Sequence, residues 1–186
     1  SSRPVLTDCT FTSNSANQSS YLGGGGGMFN WNESISTLIN CSFIDNSSGI
    51  CGGGMTNSSS TAKLIDCRFT LNSTPDPYSS IHRGGALSNR QSSVSLENCT
   101  INNNSTNGYG GGIYNSSSSS MVITTCIFFD NTVGAVGVAI GGGIYNSSTS
   151  TMTLADSVLC GNANDQIYGD WTDKDGNCIS LFCQDT

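Results

Sequence analysis

Positive charge is what this chain has least of. Its 186 residues hold six Lys and Arg against thirteen Asp and Glu, with one histidine and a formal net charge of −7. With so few cations and no basic cluster, neither nucleic acid nor an acidic membrane surface is an expected partner. No apolar run approaches the length of a membrane span. A sustained three-to-four-residue apolar spacing is also missing, which excludes TPR, ankyrin and HEAT arrays.

What the chain does have is a repeat. An apolar residue is followed three positions on by Cys, two further by a bulky apolar residue and three beyond that by Asn. The units are Leu6, Cys9, Phe11, Asn14; Leu38, Cys41, Phe43, Asn46; Leu64, Cys67, Phe69, Asn72; Leu96, Cys99, Ile101, Asn104; and Ile123, Cys126, Phe128, Asn131. A sixth, Leu154, Ser157, Leu159, Asn162, swaps only the cysteine. The first five run on to a Gly-rich block closed by an apolar residue and a second Asn, as in Gly110-Gly111-Gly112-Ile113-Tyr114-Asn115. Such a period means a solenoid, each unit burying its apolar side only against its neighbours.

Within a unit, apolar and polar residues alternate, so the unit is built of strands. Three short strands per turn fit: one ending at Leu, one carrying Cys and Phe, one after the glycines. The expected fold is all-β, a right-handed single-stranded parallel β-helix of about six rungs over residues 1–162, with a capping segment over 163–186; the hand follows from the rule for parallel crossovers. At a strand spacing of about 4.8 Å, like side chains stack into Leu, Cys, Phe and Asn columns. The extra residues of alternate rungs fall between the ladder Asn and the glycines, at Ala16 to Gly23, Ser73 to Arg83 and Thr132 to Ile140. These loops project from one edge of the coil, the first place to look for a binding surface.

The cysteines divide into a buried column, Cys9, Cys41, Cys67, Cys99 and Cys126, and a terminal group, Cys160, Cys178 and Cys183, in which Cys160–Cys178 is the preferred disulfide. Cys51 has no evident mate. A terminal bridge, low charge and Ser/Thr/Asn/Gly richness point to a secreted or cell-surface protein. Most of the many Asn-x-Ser/Thr sequons coincide with ladder positions, which leaves Asn17 and Asn32 as the glycosylation candidates of a glycoprotein.

The L-x-x-C-x-F-x-x-N unit followed by G-G-G-I-Y-N resembles the repeats of bacterial polymorphic outer-membrane proteins and related secreted right-handed β-helix proteins. The ending, Cys160-Gly161-Asn162 with Gln166-Ile167-Tyr168-Gly169-Asp170-Trp171, resembles the terminal rung of large secreted β-helix proteins from environmental bacteria. The outer-membrane family's roles imply adhesion or surface display. The scaffold itself carries lyases, hydrolases, adhesins and inert spacers alike, so the resemblance is specific for fold and not for function.

No catalytic, cofactor-binding or metal residues are assigned. Asp8, Asp66 and Asp156 share the corner before the cysteine position with Asn40, Asn98 and Thr125; the nearest two, Asp8 and Asp66, are separated by a whole rung, roughly 10 Å by strand spacing, and one-per-rung corner residues are turn formers. Asp45 and Asp130 have the same status. His82, beside Arg83 and near Asp76, reads as a solvated loop residue. Asp170, Asp173, Asp175, Gly176 and Asn177 would make at most a weak calcium site, since no bidentate Glu follows them. An ice-binding threonine lattice is interrupted at Arg68 and gives way to Ile127 and Phe129.

Ile39, Ile65, Val122, Ile127 and Phe129 take outward positions by alternation and are the self-association candidates. Ser1 to Val5 are too few to shield the first rung, an open end that would invite a partner or an identical subunit. The expected function is therefore a non-enzymatic extracellular spacer, adhesin or filament subunit, with itself or other extracellular proteins as partners. The alternative is a β-helix that binds or degrades a polysaccharide along the loop edge, where Tyr78 and Tyr109 lie.

Overall fold

The computed structural model describes residues 2–17, 24–75, 83–134 and 140–183. The alternation of polar and apolar residues resolves into a coil of four parallel sheets. The leucine sheet has seven strands, from Val5–Thr7 through Ile35–Ile39, Thr61–Ile65, Ser93–Glu97, Ser120–Thr124 and Thr151–Ala155 to Thr172–Asp173. The phenylalanine sheet also has seven, from Thr10–Thr12 to Cys178–Ser180. A third sheet consists of five two-residue strands beginning with Ser15–Ala16. The fourth, the asparagine sheet, has six, from Met28–Trp31 through Met55–Ser58, Leu87–Arg90, Ile113–Ser116 and Ile144–Asn146 to Ile167–Tyr168. All pairings among the described strands are parallel and in register, so Leu38 lies over Leu64 and Phe43 over Phe69.

Two expectations are corrected. A turn has four strands and not three, because the two residues after the ladder Asn pair as well, Ser47 with Ser73 and Ser73 with Ser105. The segment after Asn162 does not leave the repeat: Ile167 pairs with Ile144, Thr172 with Thr153 and Cys178 with Val158. It adds a shortened seventh turn, whose Ile167 and Trp171 pack against the core.

Each turn closes through left-handed corners. Asp8, Asn40, Asp66, Asn98, Thr125 and Asp156 all have φ between 48° and 55°, a region in which Asn and Asp cost least among side-chain-bearing residues. Ahead of the asparagine sheet the corner falls to glycine. Gly110 has φ +69°, and a Cβ on the next residue, Gly111, would lie 2.4 Å from the Gly142 carbonyl oxygen of the neighbouring rung.

Inside, every expected column forms. The rings of Phe11, Phe43 and Phe69 stack at 4.6 and 4.5 Å. The main asparagine ladder is continuous. The Asn14 amide donates to Asn46 Oδ1 (2.9 Å), Asn46 to Asn72 (3.0 Å), Asn72 to Asn104 (3.0 Å), Asn104 to Asn131 (2.9 Å) and Asn131 to Asn162 (2.8 Å). Each receiving oxygen also accepts the backbone N–H of the donating Asn, as Asn104 Oδ1 does from Asn72 (2.9 Å). A second ladder runs Asn30, Asn57, Asn89 and then Asn115, Asn146; it breaks where the Asn89 amide turns to Met121 Sδ, 3.7 Å away.

The cysteine column is polar as well as apolar. Cys126 Sγ donates to the Thr124 carbonyl (3.3 Å) and accepts the Cys99 N–H (3.4 Å). In the next rung Ser157 Oγ makes the same two contacts, to the Ala155 carbonyl (2.7 Å) and from the Cys126 N–H (3.0 Å). The column therefore selects a small side chain that both donates and accepts, which is why Ser157 can stand in it.

Two stability outcomes follow, both read by urea denaturation. Asn104→Ala strips hydrogen bonds from two neighbouring rungs and leaves buried groups unpaired, for a loss of about 3 kcal/mol. Cys126→Ser keeps the donor and acceptor and costs less than about 1.5 kcal/mol, whereas Cys126→Val leaves the Cys99 N–H unanswered and costs about 1–3 kcal/mol more.

Candidate functional site

Outward-facing chemistry collects on the asparagine sheet. All but the last of its strands alternate an inward apolar residue, a residue pointing away from the core and an inward Asn, and the register aligns Phe29, Thr56, Ser88, Tyr114, Tyr145 and Tyr168 in one outer column, of which Thr56 and Ser88 are buried. The last three are stacked rings: Tyr114 and Tyr145 have centroids 5.1 Å apart and planes 9° apart, Tyr145 and Tyr168 5.3 Å and 8°. Tyr109 leans on the stack, 5.0 Å from Tyr145 at 48°, and Arg83 sets its guanidinium 5.4 Å from the centre of Tyr114. Tyr114 and Tyr145 are half-buried and Tyr168 is exposed; burial pushes the Tyr145 phenol above its ordinary pKa. At the other end of the column Phe29 and Trp31 are exposed, their rings 6.5 Å apart.

The stack borders the predicted loop edge. Cys51, Arg83, Tyr109 and Ile140 are joined by parallel bridges at the corner where the inserted segments re-enter the coil. Within those segments 18–23, 76–82 and 135–139 lie outside the described residues, and with them His82, Asp76 and Tyr78. Of the tyrosines in the stack, sequence reasoning singled out only Tyr109. The signal for the others was the Ile-Tyr-Asn triplet itself, because alternation turns its tyrosine away from the core.

Three of the corner carboxylates are spent on the turns. Asp8 accepts the Asn40 amide and Asp66 the Asn98 amide, both at 2.6 Å, and Asp45 accepts the Ser13 hydroxyl at 3.2 Å. In the terminal turn Asp173 accepts the Asp175 N–H (3.0 Å) and the Asn177 amide (2.7 Å). Among the described residues no three His, Cys, Asp or Glu side chains converge as a metal would require.

The terminal disulfide joins Cys160 to Cys183, with Cα atoms 5.0 Å apart, and not to Cys178 as the sequence favoured. Register explains the correction. Cys178 pairs with Val158, two residues short of Cys160, whose own partner is Ser180. Cys183 follows that strand and meets Cys160 at the edge of its outer face, leaving Cys178 a free, exposed thiol. Between this segment and the sheet lies an apolar groove of about 490 Å³, lined by Ile127, Phe129, Val158 and Phe182 together with the cysteines.

The five self-association candidates do not form one patch. Ile39 and Ile65 are neighbours on the leucine sheet and half-buried. Val122 is 46% exposed but stands between Ser95 and Thr153. Ile127 and Phe129 belong to the groove. The sequons divide as burial dictates: Asn46, Asn57, Asn72, Asn104 and Asn115 are fully buried, while Asn17 and Asn32 are exposed.

Thiol chemistry separates the cysteines. Burial raises the pKa of Cys41 and Cys51. Hydrogen bonding within the column raises Cys67, lifts Cys99 to about 12 and lowers its neighbour Cys126, all three buried. An aromatic disulfide reagent at pH 8 should therefore titrate Cys178 rapidly, Cys9 slowly and the buried five only after unfolding; mass mapping of rapid label on Cys99 or Cys126 would contradict the packing.

A scan against known protein families matches residues 1–175 to a family described as the right handed beta helix region, while no curated protein matches the sequence. The match spans nearly the whole chain and agrees with the parallel four-sheet coil, its stacked columns and its in-register rungs. This chain belongs to the right-handed β-helix family.

Proposed function

We propose that the chain is a non-enzymatic extracellular β-helix, a surface spacer or adhesive rod that associates with copies of itself or with other extracellular proteins. The observation that carries this reading is the apolar groove on the outer face of the phenylalanine sheet, where Ile127, Phe129 and Val158 meet the exposed Phe182. Solvent-facing apolar side chains gathered in this way are what a contact between chains buries. The Cys160–Cys183 bond supports an oxidising, extracellular setting, where exposed Asn17 and Asn32 would accept glycans if the host attaches them. Corner carboxylates committed to turns, as Asp8 and Asp66 are, fit a scaffold better than a hydrolase.

A second reading has its own support: the tyrosine stack beside the loop edge favours a β-helix that binds or degrades polysaccharide there.

Light scattering across a concentration series, with electron microscopy of the same samples, tests the first reading. The wild-type chain should gain mass with concentration, and the Ile127→Ser/Phe182→Ser double variant should stay monomeric with unchanged thermal unfolding. Monomeric wild-type rods at the highest attainable concentration would overturn self-association.

A further inference from the structure

We infer that the tyrosine-bearing rungs of the asparagine sheet form a ledge for a linear polysaccharide lying parallel to the coil axis, with Tyr114, Tyr145 and Tyr168 as successive steps and Tyr109 and Arg83 beside them. The inference rests on the polysaccharide-binding reading and gives it a place. Three observations converge on this occupant.

The first is geometry. Inside the coil the phenylalanine rings stack and are closed from solvent, with Phe43 and Phe69 fully buried. Outside, the tyrosine rings are nearly parallel at 5.1 and 5.3 Å between centroids, the offset form of stacking. Offset rings overlap only in part, and each is left with solvent access. A sugar ring has the complementary character, an apolar C–H face and a rim of hydroxyls. Tyrosine meets both with a rigid apolar body and a hydroxyl that donates and accepts.

The second is repetition. The ledge offers the same group once per rung, at a step near the strand spacing of about 4.8 Å. That pitch is close to the length of one pyranose unit, so a linear glycan can place successive sugars on successive tyrosines. A folded protein partner without rungs of its own has no such translational repeat.

The third is charge. The chain carries −7 overall, yet every residue on the outer side of the six strands of this sheet is aromatic, Ser, Thr or Arg. Arg90 ends one of those strands, and Arg83 sits against Tyr114. Among the described strands only the leucine sheet carries carboxylates, Glu97 and Asp173, and of the three sheets without them this one has two of the chain's cations against it. A hydroxyl-rich chain, neutral or with scattered acid groups, is the polymer such a face complements.

Affinity electrophoresis in gels containing xyloglucan, galactomannan or alginate tests the ledge, with thermal unfolding as the folding control. The wild-type chain should be retarded by at least one of the three. Tyr114→Phe/Tyr145→Phe keeps the rings and the stack but removes two hydroxyls, and should raise the apparent dissociation constant about fivefold or more; Tyr168→Ala, on the exposed last step, should do the same. Thr10→Val, on the outer face of the phenylalanine sheet, should leave retardation unchanged. Full retardation of both tyrosine variants would overturn the ledge while leaving glycan binding elsewhere on the coil. No retardation of the wild-type chain in any gel would overturn the ledge and the polysaccharide reading together.

Discussion

No rung of this coil can satisfy its own polar groups. A strand of two to five residues has its backbone N–H and C=O pointing along the coil axis, and only the rung above or below can answer them. The corners, where regular pairing lapses, would be the weak points. There the asparagine ladder replaces backbone partners with side chains: Asn104 accepts the Asn72 N–H and side-chain amide, and donates to the Phe69 carbonyl and to Asn131. Leucine and phenylalanine burial stabilises the stack, but the need to hand hydrogen bonds across rungs fixes the register, and register decides what every outer column contains.

That dependence explains what was legible in the sequence. Leu, Cys, Phe and Asn recur at fixed offsets because each must meet its own kind one rung away, so the columns, the parallel pairing and the corners at Asp8, Asn40 and Asp66 could be read directly. The fourth strand could not. It is two residues long, mostly Ser and Thr, and it pairs only because the Asn before it is already locked in place. The seventh turn was hidden for a related reason: Thr172–Asp173 and Cys178–Ser180 keep the register without the motif, their places set by Leu154 and Leu159 beneath them.

The outer surface was less legible, because nothing there has to match. Alternation tells which side a residue faces but not what lies beside it, and the five outward apolar residues are spread over separate places on two sheets. The disulfide illustrates the same limit. Sequence separation left Cys178 and Cys183 as rivals for Cys160, and the choice fell to a two-residue offset along the last strand that becomes visible only once Cys178 is paired with Val158. The tyrosine stack is the exception, an outer feature that repeats because it rides on the inner Ile of its own strands.

The main ladder also has a direction. Every amide from Asn14 to Asn131 donates toward the higher-numbered rung, and the last one, Asn162, gives its proton to Gln166 (2.7 Å), whose own amide turns back to the Asn162 carbonyl (3.0 Å). Gln166 acts as a terminator, while each rung before it offers the same acceptor on one side and the same donor on the other. A rung duplicated or deleted within the array would present both neighbours with the chemistry they already have. The length of such a coil is then an adjustable quantity, changed in whole turns by copying a unit, with the terminator carried along unchanged.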